Sequence, residues 1–127
     1  MTFAGVRAMG LQLPGTEEGT SWGTPALKVG GRMFACIASH KSAEPNTLVV
    51  YMDIAQRDAL IEEDPKTYYL KDHYVNYPVV LVRLARVRPD AMRDLLAGAW
   101  RIVNGRAGPR RRTSTRRSTS PRSTRRR

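Results

Sequence analysis

Two histidines, His40 and His73, and one cysteine, Cys36, are the residues best suited to proton transfer, metal ligation or nucleophilic attack. Neither histidine has a second ligand at metal-site spacing, so zinc or a related ion is not indicated. Asp72 adjoins His73 and would favour its protonated form, the arrangement of a general base, but a loop histidine beside an acid is also common. Cys36 stands between apolar neighbours in a strand-like run, which suits a small buried hydrophobe. There is no phosphate loop, nucleophile elbow or paired-carboxylate pattern. Glu62-Glu63-Asp64 reads as a solvated helix end. The residues argue for a non-enzymatic protein with no cofactor and no metal.

Binding chemistry is better represented. Lys28 and Arg32 flank the dipeptide Gly30-Gly31, where a hairpin tip would project them towards a phosphate backbone. Arg83, Arg86 and Arg88 follow a β-branched run and either track phosphates or pair with the acids of a nearby short helix. Tyr68, Tyr69, Tyr74 and Tyr77 offer rings that stack on unpaired bases. Packing half of them on a sheet and leaving the others at its border is the simpler use.

The chain has 127 residues and a formal charge of +11. That charge is unevenly placed. Ten of the 22 basic residues are arginines between Gly105 and Arg127, a stretch without acids, and they include Arg110, Arg111, Arg112, Arg116 and Arg117. The remaining 12 basic residues face all 11 acids, so the body is nearly neutral and is no generic polyanion binder. The tail is Arg, Ser, Thr, Gly and Pro with nothing apolar larger than alanine, and is expected to be disordered. The expected division is one domain over 1–104 and a basic tail over 105–127. One cysteine excludes an internal disulfide and suits a reducing compartment. With no apolar run of about 18 residues and no signal-like N-terminus, the expectation is cytoplasmic, with no membrane partner.

The elements that must position these residues follow in order. Phe3, Val6 and Met9 share a helical face over Thr2–Leu11, with Thr2 as cap. Strand-like runs Thr24–Val29 and Arg32–Ser39 enclose Gly30-Gly31, a two-residue hairpin loop. Pro25 lacks an amide hydrogen, which places the first of these strands at a sheet edge or begins it there. Thr16–Gly23 is a short strand candidate leading into the hairpin. Thr47–Met52 is apolar on both faces and therefore central. Asp53 and Gln56 have capping-box spacing before a helix over Ile54–Glu63 that buries Ile54, Leu60 and Ile61. Thr67–Leu70 and Val79–Arg88 read as further strand segments. Met92, Leu95, Leu96, Ala99 and Val103 form the stripe of a final helix, extended by Trp100 and stopped by Asn104-Gly105. The pattern predicts an α+β domain: a mostly antiparallel sheet with helices packed on one face.

The segments WGTPALKVGGRMFACI, DP-x-x-Y-Y, DHYVNYPVVLVRLARV and AWRIV, in this order over Val6–Val103, resemble the MmcQ/YjbR family. The resemblance implies a small double-wing α+β domain and DNA binding, and brings no catalytic motif with it. The arginine-serine tail departs from the family pattern, which continues after the Trp-containing helix with an APK-like segment. Its composition fits both a nucleic-acid arm and an out-of-frame extension of a GC-rich gene. Two functions follow: a DNA-binding protein whose affinity comes mainly from the tail and from the hairpin wing, or an adaptor for a protein partner. The adaptor reading draws on the near-neutral body and on the likeness of the double-wing fold to small secretion chaperones that use a sheet face.

Overall fold

In the computed structural model, residues 1–107 are described, and they fold as one six-stranded sheet with three α-helices. The elements are α1 (Phe3–Gly10), β1 (Thr16–Ser21), β2 (Thr24–Val29), β3 (Arg32–Ile37), β4 (Thr47–Tyr51), α2 (Ile54–Glu63), β5 (Tyr68–Tyr69), β6 (Val79–Arg83) and α3 (Pro89–Ala107), with a 3₁₀ turn at Asp72–Tyr74. The spatial order is β1-β2-β3-β4-β6-β5, and every neighbouring pair is antiparallel.

Period-two alternation divides the side chains between two faces. Leu27, Ala35, Leu48, Val50, Val80 and Val82 join Val6 of α1 and Met92, Leu96, Ala99 and Val103 of α3 in the main core. Leu60 and Ile61 of α2 pack against the same core, so the helices share one face as the pattern predicts. Ala26, Cys36, Val49, Tyr69, Val79 and Leu81 form a smaller core with Tyr74 on the opposite face. Gly10 permits the close approach of α1, because a Cβ there would stand 2.4 Å from Leu27 Cδ1. Thr2 caps α1 as expected, accepting from the Gly5 amide at 3.3 Å.

The Gly30-Gly31 hairpin forms with Val29 opposite Arg32, and both glycines take positive φ (60° and 78°). A register shift at Leu27/Lys28 then inserts one extra residue in β3, a bulge that lets Phe34 enter the main core. β4 is central, between β3 and β6.

Four expectations need correction. β2 is interior rather than at an edge, because β1 pairs along its outer side; Pro25 is tolerated as its second residue. Asp53 makes no side-chain capping bond, so the capping box does not close. In α2 the buried residue is Arg57, while Ile54 is 43 % exposed. α3 runs through Asn104-Gly105 to Ala107 instead of stopping there. The tail arginines Arg110, Arg111, Arg112, Arg116 and Arg117, and the disorder expected of them, lie outside the described residues.

Candidate functional site

The side of the sheet away from the helices carries a concavity of about 460 Å³. Its floor is Met33, Val49, Tyr51 and Val79, and its walls are Trp22, His40, His73, Tyr74 and Tyr77. That volume is in the range of small-ligand sites, about 300–1,000 Å³.

The walls come from three turns. Trp22-Gly23 is a two-residue hairpin loop between β1 and β2, with Ser21 opposite Thr24. Both of its residues have positive φ, 52° for Trp22 and 81° for Gly23. Glycine takes that conformation freely, whereas a bulky L-residue in it costs about 1–2 kcal/mol. Trp22 nevertheless stands there with 73 % of its surface exposed, so packing returns little for the strain. The segment after β3 supplies His40, whose Nδ1 accepts from the Ser42 amide at 3.1 Å and lies 2.7 Å from Ser42 Oγ. An amide can donate only to an unprotonated nitrogen, so Nδ1 carries no hydrogen and Ser42 Oγ–H donates to it as well.

The 3₁₀ turn supplies His73 and Tyr74. The His40 and His73 rings stack at 3.7 Å with planes 10° apart, and Tyr74 presents its ring edge-on to both. Desolvation, then the neighbouring charges of His73 and Lys41, hold the His40 imidazole below its ordinary pKa. Burial pushes the Tyr74 phenol up. Tyr77 completes the rim at 53 % exposure. Its backbone is held by Arg57, whose Nη1 donates to the carbonyls of Val75 (3.2 Å) and Tyr77 (2.9 Å).

The cations singled out in the sequence have different fates. Arg83 grips both carboxylate oxygens of Glu44 (2.9 and 2.7 Å), donates to the carbonyls of Pro65 and Lys66, and lies over the Tyr69 ring at 4.2 Å. Its guanidinium is committed to the fold, and its partner is a loop acid rather than an acid of α2. Arg88 pairs with Asp90 at 3.3 Å with both side chains exposed, and Arg86 is exposed in the turn after β6. Lys28 is half-buried, opposite Glu17, with its stem over Gly19. Arg32 is exposed beside the hairpin tip, and with Trp22, Met33 and Tyr51 it lines a smaller hollow of about 270 Å³. Trp22, Met33 and Tyr51 also line the main concavity, so Arg32 adjoins it. Of the four tyrosines, Tyr68, Tyr69 and Tyr74 are buried and Tyr77 alone presents its ring.

A larger groove of about 570 Å³ lies between α2 and α3. Glu63, Asp94 and Arg101 stand in its lining, two acids against one base, which gives an anionic ligand no net attraction there. Cys36 is buried beneath the smaller core, and burial pushes its thiol up to about 11. It remains protonated and unreactive at neutral pH. Among the described residues no three metal-ligating side chains cluster, and no helix is long and apolar enough to cross a membrane.

A protein-family model described as YjbR matches residues 11–102. Over 42 residues the chain is 40 % identical to the uncharacterized proteins Mb2600 of Mycobacterium bovis and Rv2570 of Mycobacterium tuberculosis, a match spanning 33 % of this chain and 33 % of each relative. The crystal structure of Deinococcus radiodurans protein DR2400, with family-model domain DUF419, superposes with a TM-score of 0.65. That match is 22 % identical and covers 81 % of this chain and 78 % of the other, a likeness of fold.

Proposed function

The chain belongs to the YjbR family, and on that premise we propose that it is a non-catalytic nucleic-acid-binding protein. The observation that carries the reading is the set of ten arginines without a single acid from Arg106 to Arg127, nine of them beyond the end of α3. Such a segment neutralises phosphates and releases their counterions whatever the sequence, so the tail supplies most of the affinity, for DNA and RNA alike. Of the body cations singled out in the sequence, Arg83 and Arg88 are paired, which leaves Arg32, Lys28 and Arg86 to contribute. A binding role also suits the histidines, which contact each other and Ser42 rather than a carboxylate.

The test is the salt dependence of DNA affinity for the full chain. Engagement of the whole arm gives a log–log slope approaching about −9, at about −0.9 per neutralised phosphate. A slope of about −2 to −4 would assign binding to the body alone. Absence of binding at low salt would leave the adaptor role, which the near-neutral body and its open aromatic face favour.

A further inference from the structure

The geometry points to the concavity bounded by Trp22, His40, His73 and Tyr77 as a receptor for one unpaired nucleobase of a single strand, with Trp22 as the stacking platform. This inference rests on the nucleic-acid-binding reading and gives it a specific site.

Three observations converge on that occupant. Trp22 holds a left-handed backbone conformation that asparagine or glycine would fill with less strain, and it leaves 73 % of its surface in solvent. An exposed aromatic ring held at a conformational cost is a device for binding rather than for folding. Tyr77 adds a second exposed ring, and the His40–His73 stack gives a wall already built of parallel rings over an apolar floor. A flat, apolar-faced ligand with polar edges suits such a slot. Ser39 in the lining and the His40 ring edge offer hydrogen-bonding groups to those polar edges.

Charge decides between planar ligands and cations. Aromatic cages also take quaternary ammonium groups. Here Arg32 lines the adjoining hollow, Lys41 acts on His40 and Lys71 precedes Asp72, while the nearby Glu44 carboxylate is bound by Arg83. A positive surround repels an ammonium and attracts a base that carries its own phosphate. Duplex DNA keeps its bases stacked and cannot offer one to this slot. The selected ligand is therefore single-stranded, its base against Trp22 and its phosphate beside Arg32.

The experiment uses the full chain with oligo-dT of about 15 nucleotides and a mixed-sequence duplex of the same length. Trp22→Asn suits the turn better than the native residue, so loss of binding cannot be ascribed to misfolding, and the melting temperature should hold or rise. The expected result is an affinity for oligo-dT lowered about 5- to 100-fold in Trp22→Asn, with Tyr77→Ala in the same direction and duplex affinity unchanged. Quenching of Trp22 emission by oligo-dT in a Trp100→Phe background should accompany binding. Equal losses on single strand and duplex, or no loss, would overturn the base-receptor inference while leaving the tail as a phosphate binder. Failure of the unmodified chain to bind either nucleic acid would overturn the proposed function, and the receptor with it.

Discussion

Arg57 of α2 and Tyr77 of the rim are joined by a 2.9 Å hydrogen bond from Nη1 to the Tyr77 carbonyl, made by a residue that is 4 % exposed. A cation in the interior needs acceptors, and this one has the Val75 and Tyr77 carbonyls and the Asp58 carboxylate at 3.0 Å. The bond makes a helix on one face of the sheet responsible for the position of a ring on the other. Arg57→Met keeps the stem and removes the donors, leaving two carbonyls short of partners. Its expected cost is about 1–3 kcal/mol, read as a lower urea midpoint. Oligo-dT affinity should fall with it as the Tyr77 loop loosens. An unchanged midpoint would show that water replaces the guanidinium at no cost.

Trp100 ties α3 to the turn before β1, its Nε1 donating to the Pro14 carbonyl at 2.9 Å. The ring is half-buried against the main core, inward as the apolar stripe predicts but not enclosed. Trp100→Ala should therefore cost about 2–3 kcal/mol, less than the 3–5 of a fully buried tryptophan. Trp100→Phe should recover most of this and lack only about 1 kcal/mol for the hydrogen bond. Equal losses in the two variants would mean that the bond, not the packing, dominates.

Cys36, with its thiol raised to about 11, should resist iodoacetamide at pH 8 in the native protein and react once urea unfolds it. Rapid native labelling would show that the smaller core opens readily.

His40 gives the protein an acid sensitivity of definite sign. Its folded pKa lies below the ordinary 6.5, so above that value the group is neutral in both states and imposes no penalty. As the pH falls through 6.5, the unfolded chain accepts a proton that the folded chain refuses, and stability declines until the lower folded pKa is passed. An NMR titration should place the His40 midpoint below 6.5, and His73→Gln should move it upward by removing part of the desolvation and the opposing charge. A midpoint indifferent to that substitution would mean that the stack does not influence the imidazole.

The sequence discloses what depends on neighbours. Gly30-Gly31 announces a two-residue turn because both positions require positive φ, and the stripe from Met92 to Val103 announces a helix because its period is local. Trp22-Gly23 follows the same turn rule, yet a tryptophan at its first position contradicts the residue preference and hides it. Arg57 escapes an amphipathicity argument, since its burial is dictated by carbonyls 18 and 20 residues further on. The His40–His73 stack joins two irregular segments distant in the chain, which no periodicity relates. For Arg83, charge alone allowed either phosphate or acid as partner, and only the fold delivers Glu44.

The outermost strand, β1, pairs with β2 on one side and leaves its other row of amides and carbonyls open. An open row invites a second chain to add a strand, the first step of edge-to-edge aggregation. In this strand, TEEGTS, nothing apolar would reward that step, and a second copy would bring further carboxylates to Glu17 and to Glu18, which Arg7 already holds at 3.5 Å. Glycine and adjacent carboxylates at the margin thus act as a barrier to polymerisation, and replacing both acids with valine should convert the margin into a sticky one.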